Sequence, residues 1–206
     1  NLVLDGGGGA DAIIVSGNDR VFYEETDEIL ETGNDMITLS DTELSILGRV
    51  DIQLNSIERA VLFGLGGDDF IDASAFNGTT ILVGGSDADQ IVPGVGTSVL
   101  LGDDPADAAV RAGDDRFIFQ EDGGENSVLI RGGEGHDTLD FSSFSSAITV
   151  DLSNVGAEQL VSVGELRLLI QDDDFESVIG GSNGDTLAGN DAGNEFTGGG
   201  GNDFIN

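Results

Sequence analysis

Residues 180–206 are three nine-residue blocks laid end to end: GGSNGDTLA, GNDAGNEFT and GGGGNDFIN. Each opens on glycine, carries Asp185, Asn194 or Asp203 at its sixth position, and sets an apolar residue two places later. A period of nine, six residues turn-forming and three strand-forming, allows only tight bends alternating with very short strands. The glycines admit φ > 0, so the bend reverses sharply with its carbonyls turned inward. The acid adds a carboxylate beside those carbonyls, and the apolar residue anchors the bend to a core.

The same frame recurs upstream. GGEGHDTLD carries Asp137 and GGGGADAII carries Asp11, while GLGGDDFID, GGSDADQIV and GDDPADAAV are weaker copies centred on Asp69, Asp89 and Asp107. Half-copies surround Asp19, Asp35 and Asp115. A longer repeat lies over the short one: GGGGADAIIVSGNDRVFYEE aligns without a gap on GDDPADAAVRAGDDRFIFQE, taking Asp11 to Asp107, Asp19 to Asp115 and Arg20 to Arg116. Two solenoid modules follow, residues 1–96 and 97–206. No Pro- or Ser-rich linker parts them, so they are expected to stack continuously. Segments 38–63 and 141–175 lack full repeats but are rich in strand-like runs, and are expected to form wider coils. AEQLVSVGELRLLI is read as strand, not helix, because of Gly164 and its β-branched valines. The phenylalanines, Phe117, Phe119, Phe141 and Phe144 among them, are assigned to the core.

Forty Asp and Glu face seven basic residues, for a net charge of −33. Such a chain repels itself when compact, and it is expected to bind neither nucleic acid nor anionic membrane surfaces. Cations that neutralise the acids on folding resolve the conflict; a merely soluble acidic surface is the plainer alternative. Cysteine is absent and there is one histidine, so thiolate and multi-histidine metal sites are excluded. His136 is read as a solvent-facing spectator, Asp172–Asp174 as a solvated loop, and Glu58 and Glu176 as facing solvent or finishing turns. Arg20 and Arg116 are expected to pair locally with acids. No His-Glu-x-x-His or Gly-x-Ser-x-Gly motif occurs, no apolar run is long enough to span a bilayer, and no enzymatic activity is expected. Both ends fall inside the repetitive texture, as expected of a portion of a longer array.

The pattern Gly-Gly-x-Gly-x-Asp-x-apolar-x resembles the RTX, or hemolysin-type, calcium-binding nonapeptide repeat. The resemblance implies a right-handed parallel β-roll, or β-solenoid, two nonapeptides to a coil, with Ca²⁺ between turns stacked eighteen residues apart. It further implies ligands from the second and fourth carbonyls and sixth-position carboxylate of one turn, and the first and third carbonyls and carboxylate of the next. Asp185 and Asp203 would then share an ion with the carbonyls of Gly181, Asn183, Gly198 and Gly200. Asp89 and Asp107 would share another with Gly85, Asp87, Gly102 and Asp104, stapling the modules together. Asp11, Asp19, Asp35, Asp69, Asp115 and Asp137 complete the candidate set, at intervals that depart from eighteen.

The expectation is a non-enzymatic, calcium-binding structural segment of a secreted or cell-surface protein, folding outside the cell. Copies stacked end to end, in a long array or a fibre, are the expected assembly. The alternative is an accessory RTX domain of a secreted hydrolase or adhesin whose active domain lies elsewhere.

Overall fold

The structure, a computed structural model, describes residues 2–5, 12–16, 20–21, 34–46, 51–104, 112–121, 126–162 and 166–206. Every regular element among them is a strand. In chain order these are β1 (Leu2–Asp5), β2 (Ala12–Ser16), β3 (Arg20–Val21), β4 (Met36–Ser40), β5 (Glu43–Ile46), β6 (Ile52–Asn55), β7 (Arg59–Gly66) and β8 (Phe70–Ala75). There follow β9 (Thr79–Ser86), β10 (Gln90–Val92), β11 (Ser98–Leu101), β12 (Arg116–Ile118), β13 (Asn126–Arg131), β14 (Asp137–Asp140) and β15 (Thr149–Asp151). The last are β16 (Gln159–Leu160), β17 (Leu166–Ile170), β18 (Phe175–Ile179), β19 (Thr186–Ala188), β20 (Glu195–Thr197) and β21 (Phe204–Ile205).

The runs of alternating apolar residues bury one face and leave the other wetter, as in β4 and β7, so each strand needs a neighbour on either side and a core beneath. The chain meets both needs by winding. It alternates between a first sheet ordered β1-β6-β5-β4-β8-β10-β12-β14-β18-β20 and a second ordered β16-β17-β13-β11-β9-β7-β2-β3. Most pairings are parallel, and each step along a sheet is one coil of chain. The exceptions are short antiparallel hairpins, β4–β5, β5–β6, β2–β3 and β16–β17. A third sheet, β15-β19-β21, takes over from the second at the C-terminal end. An all-β, largely parallel winding of this kind fits a β-solenoid.

Coil length follows the repeat where the repeat is full. Val178 pairs with Phe196 and Leu187 with Ile205, eighteen residues on in both cases. Elsewhere coils are longer: Ile71 pairs with Ile91, Ile91 with Phe117 and Phe117 with Leu139. Wide steps also span the two repeat-poor segments, Ile37 to Ile71 and Leu139 to Val178, and the β4–β5 and β16–β17 hairpins lie within the extra chain. The strand ladder also crosses residue 96 unbroken, Thr80 pairing with Ser98 and Leu82 with Leu100.

One core runs through the winding, built from Leu62, Leu82, Leu100, Ile130 and Ile170 on one wall and Ile37, Ile71, Ile91, Phe117 and Leu139 on the other. Phenylalanines fill its corners. Phe119 stacks on Phe141 at 4.8 Å, and Phe141 meets Phe144 edge-on at 5.7 Å. At that corner, the Glu121 carboxylate accepts hydrogen bonds from the N–H groups of Ser145 and Ser146 and from the Ser145 hydroxyl. Asp41 accepts from Asn77 N–H at the equivalent earlier corner, 2.8 Å.

Candidate cation-binding turns

Between the second sheet and the first, the glycine-rich bends stack directly on one another and bring their acids into a column. Each aspartate reaches back along the stack with one oxygen. Asp69 Oδ1 accepts from Asp35 N–H (2.6 Å), Asp89 Oδ1 from Asp69 N–H (2.8 Å), Asp115 Oδ1 from Asp89 N–H (2.9 Å) and Asp137 Oδ1 from Asp115 N–H (2.9 Å). Glu176 Oε2 continues the series on Asp137 N–H at 2.9 Å. The side chains are inside the stack: Asp69, Asp89, Asp115 and Asp137 are 2%, 1%, 1% and 0% exposed.

The second oxygen of each is the feature that matters chemically. Oδ2 of Asp69, Asp89, Asp115 and Asp137 is buried and has no hydrogen-bond partner. Each lies against the glycine that opens its own bend. A Cβ at Gly84 would overlap both Asp89 Oδ2 and the carbonyl oxygen of Gly102 from the next coil, so only glycine fits. Carboxylate and carbonyl oxygens converge in the same way at Gly64, Gly102 and Gly180. The bend depends on φ > 0 at its second position, where Gly85 has φ +122°.

Unpartnered anionic oxygens in a dry stack carry an electrostatic cost. Burial, against the counter-effect of the N–H each accepts and reinforced by neighbouring acids, pushes Asp69 up to about 7, Asp89 to about 9, Asp115 to about 7 and Asp137 to about 8. The acids therefore need protons or cations to sit where they do. The donor set is all hard oxygen, which suits Ca²⁺ and offers nothing to softer metals. Among the described residues no three acidic or histidine side chains gather into a metal cluster. An ion here would be held by one or two carboxylates together with peptide carbonyls.

No protein-family model matches this chain, and no curated protein does.

The second candidate stack lies on the opposite edge, between the first sheet and the third. Asp185 N–H donates to Asp203 Oδ1 at 3.0 Å, so the eighteen-residue pair are direct neighbours. Asp185 is nevertheless satisfied: its Oδ1 accepts from Ile148 N–H and its Oδ2 from Gly181 N–H. The unmet demand for positive charge therefore falls on Asp69 to Asp137, whose intervals are irregular. Asn194, where an acid would stand, accepts from Asn190 N–H with Oδ1 and donates to Asn190 Oδ1 with Nδ2, both at 2.9 Å. An amide closes that bend without a charge.

Asp89 stacks on Asp115, twenty-six residues on, and it is Asp115 that lies against Gly102. Asp107, Asp11 and Asp19 lie outside the described residues. Of the implied carbonyls, Gly102 O accepts from Gly85 N–H (2.7 Å) and Gly181 O from Gly200 N–H (2.9 Å), each keeping a second lone pair. Asp87 stands at the fourth position of its bend with φ +73°, where three other copies have Gly67, Gly135 and Gly201, also at positive φ. Asp104, Asn183 and Gly198 also lie in these bends, and Asp35 heads the first column.

Two contributors escaped the sequence reading. Glu176 takes the place of the sixth-position acid; the sign was its spacing of two from Val178, as Asp137 is spaced from Leu139. Asp103 accepts from Glu134 N–H at 2.6 Å, and its Oδ1 is buried without a partner. His136 is exposed, its N–H bound by Asp114 at 3.0 Å. Arg116 pairs with an acid, but across to the next coil, with Asp140 at 2.6 Å, while the Arg20 side chain lies outside the described residues; Asp172 pairs with Arg131 at 3.1 Å.

Proposed function

We propose that this chain is a calcium-stabilised structural segment of a secreted or cell-surface protein, a right-handed β-roll of the RTX kind with ions held among its stacked bends. The observation that carries the reading is the column of four buried aspartates, each with one oxygen fixed by a neighbour's N–H and the other unpartnered, beside a peptide carbonyl of the next coil at Asp69, Asp89 and Asp115. Asp69, Asp89, Asp115 and Asp137 would hold the ions, with carbonyls such as those of Gly84, Gly102 and Gly132. Calcium bound there supplies the positive charge that the interior lacks.

Secretion fits the same chemistry. Sites built from few carboxylates bind calcium weakly, in the range of about 10⁻⁴–10⁻³ M that serves extracellular modules. In a cytosol poor in calcium the −33 chain stays unfolded; outside, binding and folding occur together. The role is mechanical and non-enzymatic, whether the coils stand in a long array or fibre or support a hydrolase or adhesive domain elsewhere.

Far-ultraviolet circular dichroism tests it. In chelator at pH 8 the chain is expected to be largely disordered, gaining β signal as Ca²⁺ rises through roughly 0.1–1 mM, with Mg²⁺ much less effective. Identical spectra in chelator and in calcium would falsify the proposal.

A further inference from the structure

The second sheet has an outer face that the cation-binding bends do not explain. Register carries Val61, Ile81, Val99, Leu129 and Leu169 into one unbroken row across β7, β9, β11, β13 and β17. Beside it runs Phe63, Val83, Leu101 and Arg131. These positions alternate with the core residues Leu62, Leu82, Leu100 and Ile130, so they point away from the core. Ile81 is 37% exposed, Val61, Val99, Leu129 and Leu169 are half-buried, and Val83, in the second row, is buried at 3%.

Charge makes the face distinctive. The chain has forty acids, yet none lies in any of these five strands. Three of its seven basic residues do: Arg59, Arg131 and Arg167. The first sheet is different, with Asp72, Asp140 and Glu195 in its strands. An aliphatic face without acids on so acidic a protein is where another surface can approach with least repulsion.

We propose that the outer face of the second sheet is a lateral self-association surface, on which two copies of this chain pack sheet against sheet. A second copy fits for two reasons. Each copy carries −33, which opposes association as a whole, and pairing through the first sheet would set acid against acid, whereas this face keeps the acids at the periphery. The rim also carries exposed ion pairs, Arg167 with Glu158 (2.9 Å) and Arg131 with Asp172 (3.1 Å), and so offers both signs to a two-fold partner. Five strands about 4.8 Å apart and three outward rows about 6.8 Å apart, the third being the polar row of Arg59, Thr79, Ser127 and Arg167, give a face of roughly 500 Å² per copy. The total of about 1,000 Å² is the low end for a specific interface, so the dimer is weak.

Sedimentation velocity on the 206-residue chain in calcium, from about 10 to 500 µM, tests this, with circular dichroism confirming that every sample is folded. The wild type is expected to pass from monomer to dimer near 100 µM, and Ile81→Glu or Leu129→Thr to raise that concentration at least about tenfold. Gln90→Glu, on the first sheet, should leave it unchanged. A wild type monomeric throughout overturns the proposal, as does an Ile81→Glu chain that dimerises normally. Capture of monomeric wild type by phosphatidylcholine vesicles, lost in Ile81→Glu, would assign the face to lipid and overturn it too. The inference is independent of calcium binding: should the chain fold only on acidification, the same series is run at pH 5, and the two readings fail separately.

Discussion

At each bend of the Asp69–Asp137 column one carboxylate oxygen is tied to a peptide N–H and the other faces a glycine α-carbon with no room to spare. Gly84→Ala would drive a methyl into Asp89 Oδ2 and the Gly102 carbonyl, and a backbone carbonyl cannot swing aside. The expected loss is about 1–3 kcal/mol, read as a shift of the denaturation midpoint in calcium. Gly193 makes a sharp control, because a Cβ there meets nothing within 4 Å; Gly193→Ala should be neutral or slightly stabilising. The carboxylate itself is tested by Asp115→Asn. Asn194 shows that an amide closes the bend uncharged, so the variant should show more β structure than wild type in chelator at pH 8. It should also need about tenfold more Ca²⁺ for the remaining transition, one lost charge contact of about 1.4 kcal/mol. Equal calcium midpoints for Asp115→Asn and wild type would remove this column from the binding sites.

Among the elements, the corners decide how coils of unequal length stay in step. Phe119, Phe141 and Phe144 fill one corner where a long coil turns, and all three are at most 1% exposed. Phe141→Ala should cost about 3–5 kcal/mol, because its ring touches both others and the stacked coils cannot close the gap. How much of this could be read from the residues depended on period. Where glycine, acid and apolar residue recur at nine, as from Gly180 onward, strand, bend and eighteen-residue stacking were all legible. Where the spacing stretches, the acid still signalled a bend, but its neighbour in the stack did not follow from counting. Asp89 sits on Asp115 because β10 pairs with β12, and that pairing is a tertiary choice made by Ile91 and Phe117 in the core. The hairpins β4–β5 and β16–β17 were hidden for a related reason: their apolar runs look like any other strand here, and direction is not written in periodicity. Glu176, read as facing solvent or finishing a turn, has no glycine in the six residues that end on it, although the spacing of acid and apolar residue is intact.

For the whole molecule the buried column and the net charge act in the same direction, which gives folding without metal a definite pH dependence. Asp69, Asp89, Asp115 and Asp137 have folded-state values of about 7, 9, 7 and 8, all above the ordinary 3.8. Between about pH 4 and pH 9 the folded chain thus holds protons that the unfolded chain has released, and stability falls as pH rises through that window. Below about pH 4 these four groups are protonated in both states and contribute no further slope. Opposing groups take over there: Asp140, held down by Ser142 N–H and Arg116 against the upward push of burial, and Glu121, held near 2 by Ser145 and Ser146, both lose their contacts on protonation. In chelator, the thermal midpoint should therefore peak near pH 4–5 and decline as pH rises, until at pH 8 little folded chain is left to melt. Calcium must displace the retained protons to bind, so its stabilising effect should be small at pH 5 and grow with pH, flattening the curve. Proton release on adding Ca²⁺ at pH 7, measured in a weakly buffered solution, checks the coupling directly. A chelated chain whose stability instead rises from pH 5 to pH 8 would mean that the column's carboxylates are compensated from within the fold, and that cations are not what the stack requires.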